Sequence, residues 1–310
     1  MTVLLLTHRA CLGHDMGEFH PECPDRLRAV LQALEAEEFA GLIRAEAPEA
    51  TLAELARVHP PDHVEAILAV RPAPGRLLQI DADTAIGAGT VEAVLRGAGA
   101  AVAAVDAVCE GSGLRRAFCA TRPPGHHAEP RRPMGFCFFS NAVVAARHAQ
   151  AAHGLARIAI ADFDVHHGNG TQACVEDDAS ILYASSHQWP LYPGTGAVTE
   201  RGVGNVFNAT LPPGATGEAF RAAWQARLLP AIEAFAPELL VVSAGFDAHA
   251  RDPLAQLRVR EADFAWLTAE LRGIADRHAD GRIVSVMEGG YDLEALAASA
   301  AAHVRALMLG

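Results

Sequence analysis

Asp164-Val165-His166 sets a carboxylate and an imidazole two residues apart. In an extended segment such residues point to one side, so both would face a common point, as a divalent metal requires. Asp247, in Gly245-Phe246-Asp247, offers a third donor from elsewhere in the chain. An Asp/His/Asp set leaves a position open for water, as a catalytic zinc site must. The same donors also suit iron(II). The competing reading is a chance pairing, against which the second polar strand end argues. His126 and His127 follow the rigid Pro123-Pro124-Gly125 turn. Imidazole titrates near neutral pH and can take and return a proton, although two metal ligands or two surface histidines would also fit the pair. Asp162, two before Asp164, could hold one histidine by its ring N–H, and Asn169 could hold the other. Such partners fix tautomer and basicity; ordinary loop hydrogen bonding is the alternative. Tyr291 follows Gly289-Gly290. Its phenol could stabilise an oxyanion or simply pack after the turn.

These groups need a frame. Short apolar runs recur at Val3–Leu6, Ala117–Thr121, Ile158–Ala161, Ile181–Ala184, Leu239–Ser243 and Ile283–Met287. They lack polar alternation, which marks strands buried on both faces of a parallel sheet. Between them lie alanine-rich amphipathic segments at Arg26–Glu38, Thr90–Glu110, Asn141–His153, Glu218–Phe235, Glu261–His278 and Leu293–Met308. That alternation predicts an α/β fold with helices on both sheet faces. Arg71–Arg76 and Leu211–Gly217 are rich in Pro and Gly and read as loops. No repeat or linker divides the chain, so one domain over residues 1–310 is expected. Ligands of open α/β sheets sit beyond the carboxyl ends of the strands. The runs ending near residues 121, 161, 243 and 287 lead into the loops that hold the reactive groups. Those loops should meet at one sheet edge.

The formal net charge of −12 disfavours nucleic acid and fits a cationic substrate, or solubility alone. The six cysteines form no C-x-x-C pair, which predicts reduced thiols in a cytoplasmic protein. The apolar start is too short for a signal peptide or a membrane span.

Several stretches, in this order, resemble the zinc-dependent histone deacetylase superfamily, which includes acetylpolyamine amidohydrolases and bacterial histone-deacetylase-like amidohydrolases. They are His20–Arg26, Arg122–Ala128, Gly135–Asn141, Asp162–Gly170, Tyr192–Gly196, Gly245–Asp247 with Asp252–Leu254, and Glu288–Leu293. Gly-Phe-Asp, Glu-Gly-Gly-Tyr and Asn169 are similar to the class II branch. The resemblance implies an arginase/deacetylase-like single domain with a central parallel sheet of about eight strands flanked by helices. It implies one zinc held by Asp164, His166 and Asp247. His127 would be the general base and then the acid, His126 its electrostatic partner, and Asp162 would orient His126. Asn169 would stand beside His127 where an aspartate is frequent, and Tyr291 would polarise the substrate carbonyl. Phe136 and Tyr192 match the aromatic walls of an acyl-lysine tunnel; Gly135, Leu254 and the rim residue Asp83 would also meet substrate. A structural potassium is implied at Asp162, Asp164, the His166 carbonyl, Ser185 and the Ser186 carbonyl.

The implied activity is removal of acetyl groups from acetyl-lysine or related alkyl amines, releasing acetate. Acetylated polyamines or small acetylated metabolites are the alternative substrates. Leu254 lacks the carboxylate that would greet a distal ammonium, whereas Pro21-Glu22-Cys23-Pro24 resembles a loop that narrows the mouth of some polyamine enzymes. A manganese ureohydrolase would need an aspartate at Gly168. A non-catalytic acyl-lysine module should have lost a ligand or the tyrosine, and none is missing. Arg131-Arg132 is a rim patch without a role, and His249 reads as a loop histidine.

Overall fold

The computed structural model describes residues 2–111 and 113–309. Its strands in chain order are β1 (Val3–Thr7), β2 (Ile43–Glu46), β3 (Leu78–Gln79), β4 (Ala85–Ile86), β5 (Arg116–Cys119), β6 (Ile158–Asp162), β7 (Ile181–Gln188), β8 (Val206–Leu211), β9 (Leu239–Ala244) and β10 (Ile283–Met287). All but β3 and β4 form one eight-stranded sheet in the order β2-β1-β5-β10-β9-β6-β7-β8. Every neighbouring pair in it is parallel. The helices are α1 (Pro24–Ala33), α2 (Leu52–Leu55), α3 (Pro61–Leu68), α4 (Thr90–Cys109), α5 (Asn141–His153), α6 (Asn169–Val175), α7 (Gly217–Ala223), α8 (Leu229–Phe235), α9 (Glu261–His278) and α10 (Leu293–Met308).

Strand alternation splits the core into two layers. In β6, Ala159 and Ala161 join one cluster, while Ile158 and Ile160 join the other. Helices α1, α9 and α10 pack together on the first face, and α4 packs on α5 across the second. The topology then places the chemistry. β5, β10, β9 and β6 are contiguous in the sheet although far apart in sequence. Their carboxyl ends carry the loops that begin near Arg122, Glu288, Gly245 and Asp162, so these loops are neighbours by construction.

Two strands of the eight-stranded sheet escape the apolar-run criterion. β2 is exposed at all four residues, and β8 is polar at Asn208 and only partly covered. Both are sheet edges, where water replaces a neighbouring strand and a continuous apolar run is not needed. The segment expected as one helix over Glu218–Phe235 contains a π turn at Trp224–Leu228. Pro230 withholds an N–H there, and the wider turn absorbs the gap in the hydrogen-bond ladder. The first long helix starts at Pro24 and stops at Ala33, short of the expected Glu38.

Phe163 ties the site to this core. It is fully buried between Asp162 and Asp164, with its ring 5.7 Å from Phe246 and 5.6 Å from Phe264. Phe163→Ala should lower stability by about 3–5 kcal/mol. Urea unfolding checks this; a loss well below that range would mean that the core closes over the missing ring.

Candidate active site

Asp164 and His166 do not lie on an extended strand, as the two-residue spacing suggested. β6 ends at Asp162, and residues 164–166 form a bend. They converge because Asp164 Oδ1 accepts the His166 backbone N–H at 2.9 Å. Asp247 enters from the end of β9 and is pinned by the Val165 N–H, 2.8 Å from its Oδ1. His166 Nδ1 then sits 3.1 Å from Asp164 Oδ1 and 3.1 Å from Asp247 Oδ2. The donor atoms of the three residues lie within 4.8 Å of one another, and all three side chains are buried.

The electrostatics of this group call for a cation. Burial, then repulsion from Asp164, pushes Asp247 up to about 7. Burial opposes charge on His166, but its bonds to Asp164 and Asp247 win and lift it to about 10. Two carboxylates and an imidazole in a dry pocket form a donor set whose charge a divalent ion would compensate. The residues therefore fit the implied metal.

Gly289 makes this packing possible. Its N–H donates to Asp164 Oδ2 at 2.8 Å, and a Cβ there would fall 2.1 Å from Asp247 Oδ2. Gly135 plays a similar part beside His127. It takes a left-handed φ of 54°, and a Cβ would come 2.5 Å from His127 Cδ2. Phe136 follows with φ 69°, its N–H donating to Thr84 Oγ1 at 3.0 Å. Left-handed backbone at a phenylalanine persists only where the surroundings hold it.

The two histidines are differentiated by their partners. His126 Nδ1 lies 3.1 Å from Asp162 Oδ2, which also accepts from the Tyr183 hydroxyl at 2.9 Å. Burial opposes protonation of His126, but Asp164 and Asp162 outweigh it and raise its pKa well above the usual range. His127 Nδ1 meets Asn169 Oδ1 at 2.8 Å. Burial, with His126 and His166 nearby, holds His127 well below the usual range. One imidazole is thus kept charged and the other neutral, with rings 4.1 Å apart. Pairs pushed apart in this way divide the acid and base roles.

A pocket of about 250 Å³ opens over His127 and His166, and Asp83, Gly135, Phe136, Tyr192, Leu254 and Tyr291 all line it. Tyr192 stands edge-on to His127 at 5.1 Å, and Phe136 edge-on to Tyr291 at 5.9 Å. Burial holds the Tyr291 phenol well above its ordinary pKa, against the Arg26 guanidinium that lies 4.8 Å over its ring. Asp83 at the rim accepts from Thr84 Oγ1 at 3.0 Å, and burial with Asp81 nearby raises its pKa. Ser185 faces Asp162 across the β6–β7 register, with its hydroxyl 3.0 Å from His187 Nδ1. The Ser186 hydroxyl accepts from Trp224 Nε1 at 2.9 Å.

Pro21, in the loop expected at the mouth, lines the pocket. Sequence reasoning missed Leu191, which also lines it, and the acids behind the site. Glu288 is buried at the end of β10, and its Oε2 accepts the N–H groups of Gly125 and His126 at 2.6 and 3.2 Å. Glu22 is buried between Arg26 and Arg122. An acid directly after the apolar run Ile283–Met287 and before the glycine pair was the available signal for Glu288, and the i, i+4 spacing to Arg26 for Glu22. Arg131 pairs with Asp62 at 2.8 Å, and His249 faces Glu261 at 3.3 Å. A second Asp/His group, Asp106 with His148 and His153, lies between α4 and α5. Arg57 Nη1 is 2.7 Å from His148 Nδ1. An arginine can only donate, so Nδ1 accepts and Nε2 carries a proton toward Asp106. That tautomer leaves no lone pair for a metal.

The described cysteines are all free, and no helix among the described residues is long and apolar enough to cross a membrane. Residues 20–307 match the histone deacetylase domain. The chain is 39% identical to Histone deacetylase 14, chloroplastic, of Arabidopsis thaliana, over 98% of this chain and 76% of the relative. It is 43% identical to the Histone deacetylase-like amidohydrolase of Pseudomonas aeruginosa, over 88% and 72%. It is 38% identical to Polyamine deacetylase HDAC10 of Homo sapiens, over 93% and 45%. The crystal structure of the HDA15 HD domain superposes with a TM-score of 0.91 at 34% identity, covering 99% of this chain and 88% of that one. The site geometry, the eight-stranded parallel sheet and these likenesses agree: the chain belongs to the histone deacetylase family.

Proposed function

We propose that the chain is a zinc-dependent deacetylase that hydrolyses the acetyl-amide of lysine or a similar alkyl amine. The observation that carries this is His127, neutral and bonded through Nδ1, at the floor of an aromatic-walled pocket beside Asp164, His166 and Asp247. Zinc, when held by those three residues, supplies Lewis acidity to the amide carbonyl and to water. Phe136 and Tyr192 sandwich the methylene chain and exclude water from it. His127 takes a proton from the attacking water as its oxygen bonds to the carbonyl carbon. Tyr291 donates its hydroxyl to the developing oxyanion, and charged His126 adds a favourable field. His127 then hands the proton to the amine nitrogen as the C–N bond breaks. Acetate and free amine leave.

Potassium is proposed at Asp162, Asp164, the His166 carbonyl, Ser185 and the Ser186 carbonyl. The Asp162–Ser185 register supports this reading. A cytoplasmic location is proposed from the separate free thiols.

The test is acetate release from an acetyl-lysine peptide and an acetylated polyamine, side by side, with and without zinc. Metal-dependent turnover of the peptide supports lysine deacetylation. Turnover of the polyamine alone moves the substrate to the alternative, and no acetate from either sinks the reading. Leu254 is the residue to vary for specificity, because it lines the mouth. Leu254→Glu should shift the ratio of kcat/KM toward the polyamine by roughly tenfold, the worth of one partly desolvated charge contact. An unchanged ratio would show that the distal ammonium lies elsewhere.

A further inference from the structure

The geometry points to Glu129 as a positioning residue that sets the tautomer of His127 through Asn169, an assignment resting on the proposed function. Asn169 is not symmetric toward its neighbours. Its Oδ1 faces His127 Nδ1 at 2.8 Å, while its Nδ2 donates to Glu129 Oε1 at 2.8 Å and to Met134 Sδ at 3.3 Å. Both amide protons are therefore used. A thioether is a weak acceptor, so the carboxylate decides which way the amide points. The reversed amide would set a carbonyl oxygen against the Glu129 carboxylate, which is repulsive. It would also set an N–H donor against His127 Nδ1. His127 would then carry its proton on Nε2 and could not accept one from water.

An aspartate beside a histidine accepts from Nδ1 in any orientation. An asparagine does so in only one. Glu129 supplies the missing constraint one hydrogen bond further out. Its own backbone is fixed in a tight turn, where its N–H donates to Arg132 O at 3.0 Å and its carbonyl accepts from Arg132 N at 3.3 Å. The carboxylate does not line the pocket, so its removal should act on turnover and not on substrate binding.

The test is a pair of changes and their combination. Glu129→Gln keeps the shape but can present its own amide to Asn169, so neither orientation is favoured. We expect kcat to fall on the order of tenfold with KM unchanged. Asn169→Asp alone sets a carboxylate against Glu129 and should also be impaired. The double variant Glu129→Gln/Asn169→Asp should regain activity over both singles, because an aspartate at position 169 needs no orienting and a glutamine at position 129 can donate to it. Nitrogen-15 NMR of histidine-labelled, zinc-loaded protein reads the tautomer directly. The His127 Nδ1–H signal should be present in the parent, diminished in Glu129→Gln and restored in the double variant. A parental kcat and Nδ1–H signal in Glu129→Gln would overturn the assignment, as would a double variant no better than Asn169→Asp. If the parent releases no acetate from any acetylated amine, the proposed function fails, while the NMR result still decides the role of Glu129.

Discussion

Tyr291→Phe should lower kcat for acetate release by on the order of 10²- to 10³-fold, the worth of one oxyanion donor, with KM little changed. The phenol is suited to donation because it stays protonated: burial holds its pKa well above the ordinary value. Its place is set from several sides. The Tyr291 N–H donates to Asp252 Oδ2 at 2.7 Å. Arg26 crosses its ring and donates to the Gly290 carbonyl at 2.6 Å. Asp292, the next residue, caps α10 by accepting from the Ala295 N–H at 2.9 Å. None of these contacts uses the hydroxyl, so phenylalanine should keep the fold and the ring position. Steady-state kinetics with urea unfolding separates the two effects. A near-parental kcat in folded protein would take Tyr291 out of the oxyanion role. A raised KM at constant kcat would make it a ground-state contact instead.

Much of this site is legible in the amino-acid sequence alone, and the reason lies in β5, β6, β9 and β10. Each is a buried parallel strand that reads as an apolar run, and each leads directly into its reactive loop. Strand period and loop chemistry thus point to the same edge. The long helices α1, α4, α5, α9 and α10 are legible for a similar reason, since their apolar stripes face a continuous sheet. What stays hidden is set by tertiary contact. β2 and β8 owe their pairing to neighbours at the sheet edge and not to their own pattern. Glu288 and Glu22 read as ordinary acids, yet each is buried among donors that come from distant segments: Gly125 for one, Arg122 for the other. The spacing of Asp164 and His166 anticipates their convergence for an incorrect reason, because a bend, not a pleat, brings them together.

Gly289→Ala tests that convergence more severely than removal of a ligand would, because every donor remains in the chain. The added methyl carbon would lie 2.1 Å from Asp247 Oδ2 and 2.6 Å from Asp164 Oδ2. Neither carboxylate has a free direction of retreat. Asp247 is held by the Val165 N–H, and Asp164 by the N–H groups of His166 and Gly289 itself. The Gly289 backbone is tied in turn, its carbonyl accepting from the Phe246 N–H at 2.9 Å. The strain must spread the donor set, and metal sites tolerate errors of only about 0.2 Å in their distances. Zinc affinity should therefore fall by at least on the order of 10- to 100-fold, the loss typical when a supporting shell is disturbed, and acetate release should fall with zinc occupancy. Chelator competition and metal analysis read the first effect without relying on activity. Gly273→Ala is the matched control. It lies in α9, where the nearest atom to a new Cβ is the flexible end of Arg277 at 3.3 Å. It should leave zinc binding unchanged and favour the helix by up to about 1 kcal/mol. Parental zinc affinity in Gly289→Ala would mean that the metal is not held between Asp164 and Asp247. A loss in both variants would point to a general defect in folding and not to the geometry of the site.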